Sequence, residues 1–207
     1  VTKKYKSKII KVKNEISFLN KFAKLKRKYS LAKIIGITGS AGKTSLKNII
    51  RDLLQNFEKT HSSPRSFNNH FGVPISLSNL NINDKFGIFE VGMSKAGEIN
   101  NLSKLIQPHI GIITNIGEAH IENFKNIKDI AKAKGEIIGN IKESGTVILN
   151  RDDKFFSYLA KKARSKKINI VSFGKNKKSD VCPIKTSNIK NLIKMTIKVK
   201  DQKLDLC

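Results

Sequence analysis

Cysteine, tryptophan, proline and acidic residues are all scarce in this sequence. Over 207 residues there are two Cys, four Pro, no Trp, and 16 Asp and Glu against 41 Lys and Arg. The two cysteines, Cys182 and Cys207, are too few for a disulfide framework in a chain this long, and neither has a metal-type partner nearby. No apolar stretch reaches the roughly 18 residues of a membrane helix, and residues 1–13 are too polar for a signal peptide. The expected setting is a reducing, intracellular one. Arginine is scarce as well: Arg27, Arg51, Arg65, Arg151 and Arg164 are the only ones among the 41 basic residues. The formal charge of +25 invites a nucleic-acid reading, but the residue that forks onto bases and phosphates makes up only five of the basic residues. Lysine spread evenly among Ile and Asn fits a genome biased toward A and T, so no nucleic-acid partner is expected.

What is present is a regular alternation of apolar patterns. Residues 16–26 read as a short amphipathic helix, and 33–38 as a buried strand. From Lys43 the apolar positions Leu46, Ile49, Ile50, Leu53, Leu54 and Phe57 follow helical spacing. Residues 60–80 are rich in turn formers, with helix expected only after Pro74. Strands follow at 86–91, 110–116, 146–149 and 168–173, separated by helices at 97–106, 127–141 and 154–163. Such alternation indicates an α/β fold, a mostly parallel sheet with helices on both faces. Beyond Gly174 the period falls to 2, which predicts a small antiparallel segment at the C-terminal end. The length suits one large domain. Repeats and low-complexity segments are missing.

The strongest local signal is Thr38-Gly39-Ser40-Ala41-Gly42-Lys43-Thr44-Ser45 between a strand and a helix. The glycines let successive N–H groups face one point, the helix N-terminus adds its positive end, Lys43 brings a charge to phosphates and Thr44 can ligate Mg²⁺. The usual first glycine of such a loop is replaced by Ile37. Glu90 ends an apolar strand on the side where ligands of doubly wound sheets sit, as a metal ligand or a solvated strand-end carboxylate. His120 follows the third strand in Thr114-Asn115-Ile116-Gly117-Glu118-Ala119-His120. His61, His70 and His109 have weaker individual cases, although His70 lies in the polar turn Asn68-Asn69-His70. Lys134 falls on the apolar stripe of Ile127, Ile130, Ala131, Ile137, Ile138 and Ile141. An ammonium there must snorkel, pair or lose its charge, and carbamylation by CO₂ is one way to lose it.

Taken together, these segments resemble the Mur ligase superfamily of ATP-dependent amide-forming enzymes. The resemblance rests on residues 37–45, on Asn68-Asn69-His70-Phe71-Gly72-Val73-Pro74, on Glu90-Val91-Gly92-Met93 with Gly97-Glu98-Ile99, on residues 113–120, on Ala131-Lys132-Ala133-Lys134-Gly135-Glu136-Ile137 and on Asn150-Arg151-Asp152-Asp153. They occur in the family's order across roughly residues 30 to 175. The resemblance implies ATP and Mg²⁺ as cofactors, with Gly39, Ser40, Ala41, Gly42, Lys43, Thr44 and Ser45 around the phosphates. It places Thr44 and Glu90 on one metal and His120 with a carbamylated Lys134 on a second. Lys43, Glu90, His120 and Lys134 would carry the catalysis. Asn68, Asn69, His70 and Asn115 would lie where nucleotide and substrate meet. The implied substrates are UDP-N-acetylmuramoyl-tripeptide and D-alanyl-D-alanine, joined in the bacterial cytoplasm by a monomeric enzyme, with a folate and glutamate pair as the alternative. The family is also about twice this length. Residues 1–30 are therefore expected to be a linker and helix stub, and 31–207 an incomplete central ATP-binding domain, the C-terminal ligase domain being absent.

Overall fold

The computed structural model describes residues 9, 11–189 and 192–206. Residues 1–8, most of the start weighed above as a leader, and Cys207 lie outside it. Among the described residues nine strands form one sheet: β1 (Lys33–Thr38), β2 (Thr60–Ser62), β3 (Phe86–Glu90), β4 (Ile110–Ile113), β5 (Thr146–Asn150), β6 (Asn169–Phe173), β7 (Val181–Ile189), β8 (Leu192–Val199) and β9 (Gln202–Leu206), in the order β2-β3-β1-β4-β5-β6-β7-β8-β9. Strands β2 to β6 pair in parallel. β7 joins β6 in parallel at Phe173 and Val181, and β7, β8 and β9 then run antiparallel. The expected mixed sheet is thus present. The chain leaves β1 toward the β2 edge and returns to its other side at β4. The carboxyl end of β1 is therefore a switch point, where a crevice opens in such sheets.

The two faces are covered unequally. α1 (Glu15–Tyr29), α3 (Gly72–Ser78), α4 (Glu98–Ile106), α5 (Ile127–Lys134) and α6 (Phe156–Ser165) share the larger core with Ile34, Phe89, Ile113, Val147 and Leu149. α2 (Lys43–Gln55) lies on the opposite face, where Leu46, Ile50 and Leu54 cover Ile35, Ile37, Ile88 and Ile112. Each fully buried Ile contributes about 1.5–3 kcal/mol. Only one side of α2 touches the sheet, so Ile49, Leu53 and Phe57, read above on the same apolar pattern, are 56%, 59% and 80% exposed.

Distant side chains fix α4 at both ends. Glu136 accepts the N–H groups of Gly97 and Asn100 at 2.8 and 2.9 Å, and Arg27 donates to the carbonyls of Ile106 and Gln107 at 2.6 and 3.0 Å. These groups have no partner within the helix itself. His109 is structural as well: its Nδ1 accepts the N–H of Ile34 at 2.8 Å. Burial, with the charges of Lys142, Arg27 and Lys33, pushes this imidazole down to about 4, so it is neutral.

Several boundaries differ from the sequence reading for physical reasons. The helix expected over 127–141 stops at Lys134 and tightens into a 3-10 turn, Gly135–Asn140. There a Cβ at Gly135 would stand 3.0 Å from Leu159 Cδ2, the closeness α6 requires. α3 begins before Pro74, because proline is tolerated in a helix's first turn. β4 ends at Ile113 and not at 116, since Thr114 and Asn115 turn to bind the loop after β1. β2 is a three-residue edge strand within the turn-rich segment.

Candidate phosphate-binding site

The loop after β1 is shaped by its glycines and by its neighbours. Gly39 has φ 150° and Gly42, at the N-cap of α2, has φ 79°. A side chain at Gly39 would also run into the Thr114 hydroxyl. The Asn115 side chain accepts the N–H groups of Ser40 and Ala41 at 3.1 and 3.0 Å. Thr114 donates its hydroxyl to the Ala41 carbonyl at 2.6 Å, and Ser40 Oγ exchanges hydrogen bonds with the backbone of Gly117. Asn115, which the family resemblance places where nucleotide and substrate meet, builds the loop from behind. Among the described residues, the N–H groups of Gly42, Lys43, Thr44 and Ser45 have no hydrogen-bond partner. That leaves a helix N-terminus with its donors free for an anion. Lys43 Nζ folds onto the Gly39 carbonyl at 3.0 Å, beside them.

Glu90, at the end of β3, is 1% exposed. Its Oε2 accepts the Thr44 hydroxyl at 2.7 Å and its Oε1 the Asn68 amide at 2.7 Å. Among the described residues no Lys, Arg or His nitrogen lies within 4 Å of this carboxylate. A buried carboxylate without a direct counter-charge, next to a threonine hydroxyl, is a donor set of hard oxygens that fits Mg²⁺. No group of three or more His, Cys, Asp or Glu converges among the described residues, here or elsewhere, so Glu90 is the one carboxylate of this pair.

Lys134, at the end of α5, is 2% exposed and donates to the same Gly39 carbonyl at 3.1 Å. It therefore pairs with a buried carbonyl and does not snorkel to open water. Burial, and then the nearby charge of Lys43, push its ammonium down to about 8. A cleft of about 440 Å³ brings Lys43, Asn68, His70, Glu98, His120 and Lys134 together. His120 holds a left-handed backbone (φ 65°), with its half-exposed ring 3.8 Å from Glu122. His70 is exposed, its ring 4.1 Å from that of Phe71. Asn69 lines the same cleft, and its Oδ1 accepts the N–H groups of Phe71 and Gly72 and starts α3. Ser45 is exposed at the loop's outer edge. His61 packs near Phe89 and reaches Ser76 at 3.2 Å, away from the cleft.

Three residues of the site's frame escaped the sequence reading. Thr114, within the motif at 113–120, holds the loop through the Ala41 carbonyl. Asp153, also in a quoted segment, accepts the N–H of Ile116 at 2.6 Å and so fixes the turn after β4. Lys47 is 1% exposed on α2. One signal was available: with Ile50 and Leu54 it lies at i, i+3 and i+7, on the face turned to the sheet.

The model of the Mur ligase middle domain matches residues 37–206. The chain belongs to the Mur ligase family. The UDP-N-acetylmuramoyl-tripeptide–D-alanyl-D-alanine ligase of Rickettsia prowazekii (strain Madrid E) is 39% identical over 175 residues, covering 84% of this chain and 39% of that ligase. Among solved structures, MurF from Acinetobacter baumannii superposes with a TM-score of 0.86 at 28% identity, over 94% of this chain and 42% of that one. MurF from Thermotoga maritima, in complex with ADP, gives 0.82 at 26% identity, over 96% of this chain and 45% of that one. The chain spans about two fifths of the length of each of these Mur ligases.

Proposed function

We propose that residues 31–207 are the central ATP-handling part of a longer ligase that joins D-alanyl-D-alanine to UDP-N-acetylmuramoyl-tripeptide. The observation that carries the reading is the cluster of unpaired N–H groups from Gly42 to Ser45, with Lys43 above it and the Thr44–Glu90 pair beside it. In this reading the terminal phosphoryl group of ATP passes to the tripeptide carboxylate, giving an acyl phosphate and ADP. The amine of D-alanyl-D-alanine then attacks the acyl carbon, the C–O bond to phosphate breaks, and the amine's extra proton is lost with the phosphate. The loop donors and Lys43 neutralise the charge that spreads over the phosphoryl oxygens. Lys43 reaches that group by leaving the Gly39 carbonyl, which Lys134 still supplies with a donor.

Thr44 and Glu90 would hold Mg²⁺, which supplies charge neutralisation and orients the phosphates. Lys134, held near 8 by its surroundings, has a larger share of free amine at neutral pH than an ordinary lysine. Its lone pair can add to CO₂, releasing one proton and leaving an anionic carbamate suited to a second Mg²⁺ beside His120. The exposed His70 and the amide of Asn68 face the cleft where substrate would enter. Ligation takes place in the cytoplasm in this reading, and the enzyme is a monomer.

The test is phosphate release by the intact protein. Release only when UDP-tripeptide and D-alanyl-D-alanine are both present supports the reading, whereas equal release with folate and glutamate transfers it to a folylpolyglutamate synthase. For Lys134, the Ala variant should lose ligation and regain part of it with added short carboxylic acid. Full activity without rescue would contradict the carbamate.

A further inference from the structure

Lys47 is among the largest fully buried side chains of the protein, and nothing in the proposed reaction uses it. Its Nζ donates to the carbonyl of Arg65, a residue in the left-handed region at φ 45°. Among the described residues no acidic side chain pairs with it within 4 Å. Burial lowers its pKa, and the charge of Glu90 partly raises it again. A buried ammonium is costly, so its place in the fold asks for a reason.

The loop that Lys47 holds is the one that reaches Glu90. At one end Ser63 Oγ accepts the backbone N–H of Glu90 at 3.1 Å, and Ser63 N donates to Ile88 O at 2.9 Å. At the other end Asn68 donates to Glu90 Oε1 at 2.7 Å, while its carbonyl accepts Gly92 N at 2.8 Å. Between these two points Pro64, Arg65, Ser66 and Phe67 are exposed. The Arg65 carbonyl is where α2, the helix that carries Thr44, grips the span. We propose that Lys47 is a positioning residue: by fixing the loop at Arg65 it keeps Asn68 on Glu90 Oε1, so that Oε2 stays turned to Thr44. The proposal rests on the reading of Thr44 and Glu90 as a cation site for nucleotide.

ATP binding to the intact protein is titrated with Mg²⁺, alongside thermal unfolding. Lys47→Met should unfold cooperatively and keep its Mg²⁺-independent binding, which the loop N–H groups supply. Its Mg²⁺ midpoint should rise about tenfold, as when an outer partner of a metal ligand is removed. Lys47→Arg should restore most of the loss, Asn68→Ala should raise the midpoint similarly, and the double variant should add little, since both act through one contact. If Lys47→Met does not fold, Lys47→Gln is read by the same titration. An unchanged midpoint, or fully additive effects, would overturn the role of Lys47. A wild-type protein with no Mg²⁺-dependent ATP binding overturns the underlying site reading instead.

Discussion

Replacing Lys134 by methionine should make the protein more stable. The side chain is 2% exposed, and its ammonium is pushed from 10.5 to about 8 by burial and by Lys43. At about 1.36 kcal/mol per pKa unit, that drop corresponds to about 3 kcal/mol of destabilisation while the group is charged. Methionine fills a similar volume without a charge. The Gly39 carbonyl loses one donor but keeps Lys43 Nζ at 3.0 Å, so the lost hydrogen bond costs about 1 kcal/mol. A net gain of about 2 kcal/mol translates to a Tm higher by about 4–8 °C for a chain of this size. The pH dependence has a definite sign. The unfolded chain binds this proton more tightly than the folded one, so the cost is fully present below pH 8 and fades as pH rises toward 10.5. Thermal unfolding of both proteins in CO₂-free buffer, from pH 7 to 10.5, measures it. A Lys134→Met protein less stable than wild type at pH 7, or an advantage that does not shrink with pH, would refute the reasoning.

Three further outcomes follow from other contacts. Gly39→Ala should abolish nucleotide binding and lower Tm, because its Cβ collides with Thr114 in a backbone geometry that suits glycine; binding at wild-type strength would contradict the loop description. Glu90→Gln should weaken Mg²⁺-dependent ATP binding by about tenfold or more while leaving Mg²⁺-free binding nearly unchanged, read by the Mg²⁺ titration described for Lys47. His109 binds its proton more weakly folded, at about 4, than unfolded, near 6.5. The stability tied to the neutral ring is therefore present above pH 6.5 and falls as pH drops toward 4. Urea midpoints across that range should show the fall, and His109→Asn, whose amide oxygen can accept the Ile34 N–H without titrating, should flatten it.

The parts of the molecule that repeat a period were legible in the sequence. β1 carries one unbroken apolar run, Ile34–Ile37, and α2 has its 3.6-residue pattern. Which half of that pattern faces the sheet was not legible, because Ile49 and Leu53 are chemically no different from Ile50 and Leu54. Only the unequal covering of the two faces separates them. That the loop after β1 and Glu90 lie near each other was legible because both follow parallel strands, whose carboxyl ends share one edge of the sheet. The loop-building hydrogen bonds of Asn115 were not, since its partners lie more than 70 positions away. Lys134 stood out because its stripe is otherwise apolar. Lys47 did not, since an outward lysine is the ordinary case in a chain with 41 basic residues.

The free donors from Gly42 to Ser45, with Lys43, should bind the phosphates of ATP. Equilibrium binding of labelled ATP with Mg²⁺ to the intact protein and to its Lys43→Ala variant tests it most directly. Saturable binding to the wild type, weakened at least tenfold in a variant that stays folded, is the predicted result. Equal affinity in the two proteins, or no binding to the wild type, would contradict it.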